Sequence, residues 1–375
     1  MNKIKQLIIN HKAETIISAL IIIVAIVVIP LTVVSANNEE ITTAETTTEV
    51  TTEETTTEEI ETTTADPHEG LDQSLLTGEY VDEETATKRP VAVMINNIKN
   101  AVPQSGIEEA GVIYEAPVEG ALTRLMAIYE DYSAAQKIGS IRSCRLYYCY
   151  FALEFDAIYA HYGQSKYAES FLNSSNIDNV SGLSSGSSAY YRASGISAPH
   201  NVFSTPEKMD SVIESLGYRT TYEDDYDGKF NFAEDEDSAT LESDTVANTV
   251  YPGYSINKPY FVYDEETGLY SRYQYGTEHI DADTGNQLTC KNIIIQCVSS
   301  TYYDDNKSLN ITLTGSGSGY FVTNGKAINI TWQKDSELGV THYYDESGEE
   351  ITLNIGKTWI CVVQNSSSGN IVLSE

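Results

Sequence analysis

The stretch GSIRSCRLYYCY, residues 139–150, carries Arg142 and Arg145 three residues apart, and Arg124 lies shortly before it in EGALTR. The chain has only seven arginines, and its 55 acidic residues outnumber 22 basic ones for a formal net charge of −33. Scarce cations placed together suit one kind of chemistry. Guanidinium forks grip a carboxylate or a phosphate-like group through paired, charge-assisted hydrogen bonds. If Ser143 caps a helix starting here, Arg142 precedes it and Arg145 lies in its first turn. Cations there oppose the helix dipole by roughly 0.3–1 kcal/mol each, so something negative should offset them. Glu115 and Glu119 in YEAPVEG are the internal candidates. A bound anion, held also by the N–H groups of the first turn, is the external one.

Two histidines and a serine raise nucleophilic catalysis. His161 and Ser165 share HYGQS, and His200 stands in SAPHNVF beside Asn201. The serine elbow needs G-x-S-x-G, and here Lys166 and Tyr167 follow Ser165, so the second glycine is missing. A histidine at a strand end is commonly a hydrogen-bonded structural residue, whereas His200 follows a proline in a loop, where polar residues more often serve function. No H-E-x-x-H and no paired C-x-x-C occurs, so no zinc site is expected. Asp281-Ala282-Asp283 opens like a calcium loop but lacks the remaining ligands, and reads as a hairpin turn. There is no P-loop and no dinucleotide fingerprint, so no cofactor is expected. Tyrosine is abundant at 27 residues, many of them around the arginine and histidine stretches. They suit either a sugar- or peptide-binding groove or plain β-core filling.

These residues need elements to position them. RPVAVMINN, GVIYEAPVEG, LTRLMAIYE and QKIGSIRS read as strands, LYYCYFALEFD as a helix, and AIYAHYG as a strand again. KYAESFLN and TPEKMDSVIESLG read as helices, the second with Thr205 as N-cap, Pro206 at its first position and Gly217 as its stop. The Gly/Ser stretch at 180–189 reads as a loop or flap. Past the acidic run at 233–244 the chain is strand-rich. DEETG, DADTG and DESG mark hairpins there, and Trp332 and Trp359 read as core aromatics. The fold class expected is α+β. A mixed α/β domain at 67–228, its sheet covered by helices, carries the site, and a smaller, mostly antiparallel β domain follows at 229–375.

The first 66 residues do not read as part of either domain. Lys3, Lys5 and Lys12 precede an uncharged apolar run at 16–35, long enough for one membrane helix. The flanking charges put the rest of the chain outside the cytoplasm. Residues 1–36 are thus a transmembrane anchor, or a signal peptide cleaved after Ala36. Residues 37–66 are nearly all Thr and Glu and read as a disordered spacer. The acidic balance of the remainder excludes nucleic acid as a partner and leaves the N-terminal helix as the only membrane contact. Five cysteines are too few and too scattered for a disulfide scaffold. Cys144 and Cys149 would lie about 140° apart on one helix, poorly placed to bond. Cys297 and Cys361 fall in two expected strands, where a pair is open, with buried free thiols the other reading.

In order along the chain, RPVAVMINN, PQSG, YEAPVEGALTR, GSIRSCR, HYGQS and APHNVF resemble the YerB-like family of bacterial lipoproteins. The later YDEETGLYSRYQYGTEHIDADTG, NIIIQ and TWICVV resemble that family's C-terminal domain. The resemblance implies a two-domain, membrane-attached extracytoplasmic protein of a Gram-positive bacterium. It implies no reaction, because the family is of unknown function. Ala121 and Gln164 stand where the resemblance leads one to expect glycine, Ser140 where it leads one to expect proline, and no cysteine follows the apolar run for lipid attachment. Two function classes follow. The first is a non-catalytic protein binding an anionic cell-wall glycan or peptide, or a protein partner, through Arg124, Arg142, Arg145, His161, His200, Asn201 and Glu119. The second is an envelope hydrolase using His161, His200 and Ser165. No complete catalytic constellation can be assembled, which favours the first.

Overall fold

VAVMIN and VIYEAP are almost wholly apolar, the pattern of strands buried on both faces rather than half-exposed ones. The computed structural model describes residues 68–235 and 238–375. The apolar run, the Ala36 cleavage position and the Thr/Glu spacer lie outside them. Among the described residues no helix is long and apolar enough to cross a membrane.

The strands that matter for the site are β1 (Val91–Asn96), β2 (Val112–Pro117) and β3 (Thr123–Tyr129). Helix α1 (Leu146–Leu153) follows, then β4 (Ile158–His161), β5 (Asn179–Ser181) and helix α2 (Pro206–Leu216). The second half supplies β6 (Thr249–Tyr251), β7 (Tyr260–Asp264), β8 (Leu269–Gln274), β9 (Asn292–Val298), β10 (Gly315–Thr323) and β11 (Lys326–Lys334). It closes with β12 (His342–Tyr344), β13 (Thr358–Gln364) and β14 (Val372–Ser374).

Ten of these strands form one mixed sheet in the order β12–β11–β10–β9–β13–β2–β3–β1–β4–β5. The two halves of the chain meet inside it. β13 runs parallel to β2, with Trp359 opposite Ile113 and Ile360 opposite Tyr114. The second half was expected to form a β domain of its own; its strands β9–β13 instead extend the sheet of the first, and the described residues make one compact unit. The strands β8–β7–β6–β14, with two short flanking strands, form a separate antiparallel sheet. The acidic run does not hang free of this body: Ala239 exchanges hydrogen bonds with Asn354 (3.0 and 2.9 Å).

Alternation along β1 explains two cores. Val91, Val93 and Ile95 face one, with Met209, Val212 and Ile213 of α2, while Ala92 and Met94 face the other, with Tyr147, Tyr148 and Phe151 of α1. The expected helical cover is therefore thin. It amounts to α2 in one core and α1, with the single turn Glu169–Leu172, in the other, and strands and loops supply the rest. Helix α2 is placed by its local chemistry, since Thr205 accepts from the Lys208 N–H and Gly217 takes φ +69° after the last turn. The helix expected in KYAESFLN shrinks to Glu169–Leu172, and the strand in QKIGSIRS to Ile138–Gly139. DEETG turns between β7 and β8 as expected. Trp332 and Trp359 are buried.

Candidate functional site

Arg124, Arg142 and Arg145 come together where β1 and β4 end, β3 starts and α1 begins. Arg124 sits on β3 opposite Asn96 of β1, and its Nη1 donates to the Ser143 carbonyl. Arg142 is held on both sides, its N–H donating to Met94 O (2.9 Å) and its carbonyl accepting from the Tyr162 N–H (3.0 Å). Its Nη1 donates to Pro199 O at 3.0 Å, and its Nε is buried with no partner. Ser143 does not cap the helix. Arg145, in extended backbone, is the N-cap residue without a capping side chain, and the Ser143 hydroxyl donates to Tyr162 O (3.1 Å).

The choice between carboxylates is settled residue by residue. Glu119 takes Arg145 in a bidentate pair, with Nε to Oε1 at 2.9 Å and Nη2 to Oε2 at 2.5 Å. Burial opposes both charges, but the pair outweighs it: the Glu119 carboxyl is held below its usual range and the Arg145 guanidinium above its own. Glu115 never meets this cluster. Its Oε2 accepts from Arg272 at 2.6 Å in the interior, where both side chains are fully buried. Three guanidinium groups thus share one carboxylate. Burial, then the charge of Arg145, pushes Arg124 down to about 10, and the same two causes in the same order lower Arg142.

His200 joins the cluster. Its Nδ1 lies 3.0 Å from Asn96 Nδ2, and Asn96 Oδ1 accepts from the Ile98 N–H, so the amide nitrogen donates and Nδ1 accepts. The tautomer this assigns carries its proton on Nε2. Burial and the neighbouring Arg142 charge both lower its pKa, which favours the neutral form.

The other predicted site residues, His161, Asn201 and Ser165, make no side-chain hydrogen bond to Arg124, Arg142, Arg145 or His200 among the described residues. His161 is fully buried on β4, with Nδ1 2.8 Å from Gly163 O, Nε2 3.3 Å from Asn179 Oδ1 and its ring stacked on Tyr159. It is a core histidine, and its pKa is lowered by burial. Asn201 turns to Arg192, whose Nη1 donates to its Oδ1 (2.8 Å). Ser165 ties its backbone N–H to Cys144 O (3.1 Å). No hydrogen bond joins Ser165 to His161 or His200 among the described residues, so a serine–histidine pair is not assembled. No group of metal-ligating side chains occurs among them either.

Asn96 was missed as a site residue, although the change from apolar to polar at the end of VAVMINN marked its place. A second polar cluster, inside the body, had no local signal at all. Glu115 Oε1 accepts from Asn97 (3.1 Å), Thr123 (2.7 Å) and Asn257 (2.6 Å). Arg272 Nη1 meets His279 Nδ1 (2.5 Å), whose Nε2 meets Gln104 Oε1 (2.7 Å).

Comparison with known proteins places this geometry in a family. Residues 76–219 match the N-terminal domain, and residues 249–360 the C-terminal domain, of a protein family of unknown function, DUF3048. The chain belongs to the YerB-like family of two-domain proteins. It is 29% identical over 300 residues, 80% of this chain and 88% of the relative, to the Bacillus subtilis (strain 168) protein named "Putative lipoprotein YerB". A crystal structure of the YerB protein from Bacillus subtilis superposes with a TM-score of 0.71 at 27% identity, covering 81% of this chain and all of the other. In family terms, the ten-stranded sheet is built by both YerB-like domains, and the buried Glu115–Arg272 pair crosses from one to the other. Ala121, where glycine was expected, takes φ +58°, a left-handed conformation that glycine adopts at less cost.

Proposed function

We propose that the chain is an extracytoplasmic, membrane-attached protein that binds an anionic cell-envelope glycan or peptide at Arg124, Arg142 and His200 and catalyses no reaction. One observation carries this reading: three guanidinium groups share a single carboxylate, which Arg145 takes, so that its charge lowers Arg124 and Arg142, and Arg142 is left holding only a backbone carbonyl. Like charges held together and partly desolvated are costly unless an anion completes them, and only such a local excess draws an anion to a chain of net charge −33. His200, neutral with its proton on Nε2, adds a donor that needs no counter-charge. The extracytoplasmic placement rests on the apolar N-terminal run and on the name lipoprotein borne by the Bacillus subtilis relative.

The test is a titration of the full-length protein with polyglycerol phosphate and, separately, with peptidoglycan fragments bearing free carboxylates. A charge-assisted hydrogen bond is worth about 1.5–3 kcal/mol. Arg142→Ala should therefore weaken binding by roughly 10- to 150-fold, with thermal unfolding little changed. Equal affinity of wild type and variant, or no binding of either probe, overturns the reading.

A further inference from the structure

The thiols of Cys144 and Cys149 lie 3.4 Å apart, both buried, among five free cysteines. This corrects the expectation that the two point apart. That expectation needed one continuous helix, whereas Arg145 is extended, with φ −116° and ψ 146°. Cys144 therefore stands outside α1, and the turn at Arg145 brings its side chain back onto the helix. Its backbone is pinned there, the N–H donating to Gly163 O (2.9 Å) and the carbonyl accepting from the Ser165 N–H (3.1 Å). The other pair considered does not form. On the paired strands β9 and β13, Cys361 lies opposite Ile295 and Cys297 opposite Val363.

We infer that Cys144 and Cys149 are a modification site, a pair that closes to a disulfide by exchange with an oxidised dithiol or small-molecule disulfide outside the cytoplasm. A disulfide is about 2.05 Å long, so the sulfurs need to approach by little more than an ångström. No other two cysteines of the chain are in hydrogen-bond contact among the described residues. The chemistry balances as ordinary exchange. One cysteine loses its proton, and its thiolate attacks a sulfur of RS–SR, expelling RS⁻ and leaving a mixed disulfide. The second cysteine, also deprotonated, attacks the first cysteine's sulfur and expels the other RS⁻. Two S–H bonds are lost, one S–S bond forms between the cysteines, and RS–SR is reduced to two RSH. Burial raises the Cys149 thiol pKa well above its usual value. Exchange therefore runs before α1 docks or when its first turn opens, and the closed bond is then shielded from reduction.

The consequence is positional. Cys144 lies between Arg142 and Arg145, so the bond ties the arginine segment to α1. Formation of the bond rests on the extracytoplasmic placement proposed above but not on anion binding; an effect on anion binding rests on both.

The bond closes a short loop, which removes little entropy from the unfolded chain, so thiol counting is a better readout than melting. Full-length protein exported by a bacterial host is quenched in acid, unfolded in denaturant, alkylated with iodoacetamide and digested with trypsin, which cleaves between the two cysteines at Arg145. The expected result is two of the five thiols protected and a Cys144–Cys149 linked peptide that separates on reduction. Cys149→Ala should return every remaining thiol to alkylation. Five alkylated thiols in the exported wild type, or a bond involving another cysteine, overturns the inference. Oxidised and reduced protein are then compared for polyglycerol phosphate affinity. A mapped bond with no ligand bound in either state leaves this inference standing and removes the proposed function instead.

Discussion

Glu115→Gln is the sharpest perturbation the fold offers. The carboxylate is fully buried and accepts four hydrogen bonds, from Asn97, Thr123, Asn257 and Arg272. Arg272 is equally buried, lies 4.3 Å over the Trp359 ring, and has an Nε with no partner. Glutamine keeps the shape but removes the charge, and its amide must aim two N–H donors into a cage of donors. The guanidinium charge is then uncompensated in the interior, a loss of roughly 3–5 kcal/mol. For a body of this size each kcal/mol lowers the melting temperature by about 2–4 °C, so the expected drop is on the order of 10 °C. Because the pair joins the two family domains, the loss should appear in one cooperative transition, followed by circular dichroism and by tryptophan fluorescence from Trp332 and Trp359. The double variant Glu115→Gln/Arg272→Met should be more stable than the single one, since it removes the stranded charge. A single variant that loses less than about 1 kcal/mol, or a double variant no better than the single, would refute the claim that the buried pair is a matched charge pair.

Two further outcomes concern buried carboxyls. Glu130, hydrogen-bonded by Ser74 at 2.7 Å, is raised by burial from 4.5 to about 7. The folded state holds its proton more tightly than the unfolded chain, so the contribution is full below pH 4.5 and is lost as pH rises toward 7. Glu130→Gln should flatten that fall, by on the order of 3 kcal/mol, in urea midpoints measured across the window. Glu154, despite burial, is lowered to about 2 by Lys229 and Lys334, so its contribution is present above pH 4.5 and lost as pH falls toward 2. Lys229 itself is depressed to about 8, first by burial. The ionised Glu154 is the firmer half of that pair, having two ammonium partners and the Thr341 hydroxyl (2.8 Å). Glu154→Gln should cost roughly 3–5 kcal/mol, and an unchanged acid-unfolding midpoint would count against it.

Elements whose causes are local were legible before the structure. Thr205, Pro206 and Gly217 delimit α2 because a cap hydroxyl, a fixed φ and a left-handed stop act within a few residues of themselves. The apolar runs of β1, β2 and β3 were legible for a similar reason, since burial on both faces leaves no polar alternation. What could not be read was pairing. The β13–β2 contact joins residues more than 240 apart, and nothing in TWICVV says that its neighbour is VIYEAP rather than another strand of its own half. The same limit hid the Glu115–Arg272 pair, whose members are 157 positions apart. At the site, the arginine cluster was legible from composition and spacing, as was His200 from its loop. His161 was misplaced because the face a strand residue takes depends on register, and register here is set by pairing with β1 and β5.

The whole-chain distribution of arginine argues for the site more strongly than the cluster alone. Arg272 pairs with Glu115, Arg145 with Glu119, Arg89 with Asp156 and Asp178, and Arg219 with Asp156 and Glu223. In a chain with 55 acidic residues, an arginine on a folded body finds a carboxylate easily. Arg124, Arg142 and Arg192 have none among the described residues. They are not scattered. Arg124 reaches the Ser143 carbonyl, Arg142 reaches Pro199, and Arg192 reaches Asn201 while lying 5.2 Å over the Tyr162 ring. All three border the same join between segments 142–143 and 199–201, with His200 between the last two contacts. If the acidic residues had been placed for stability alone, at least one should have settled beside these cations, as carboxylates did at the other four. Glu119 stands close by but is taken by Arg145, and the positive charge left without a carboxylate, on buried Arg124 and the more open Arg142 and Arg192, is what the proposed anionic ligand would require.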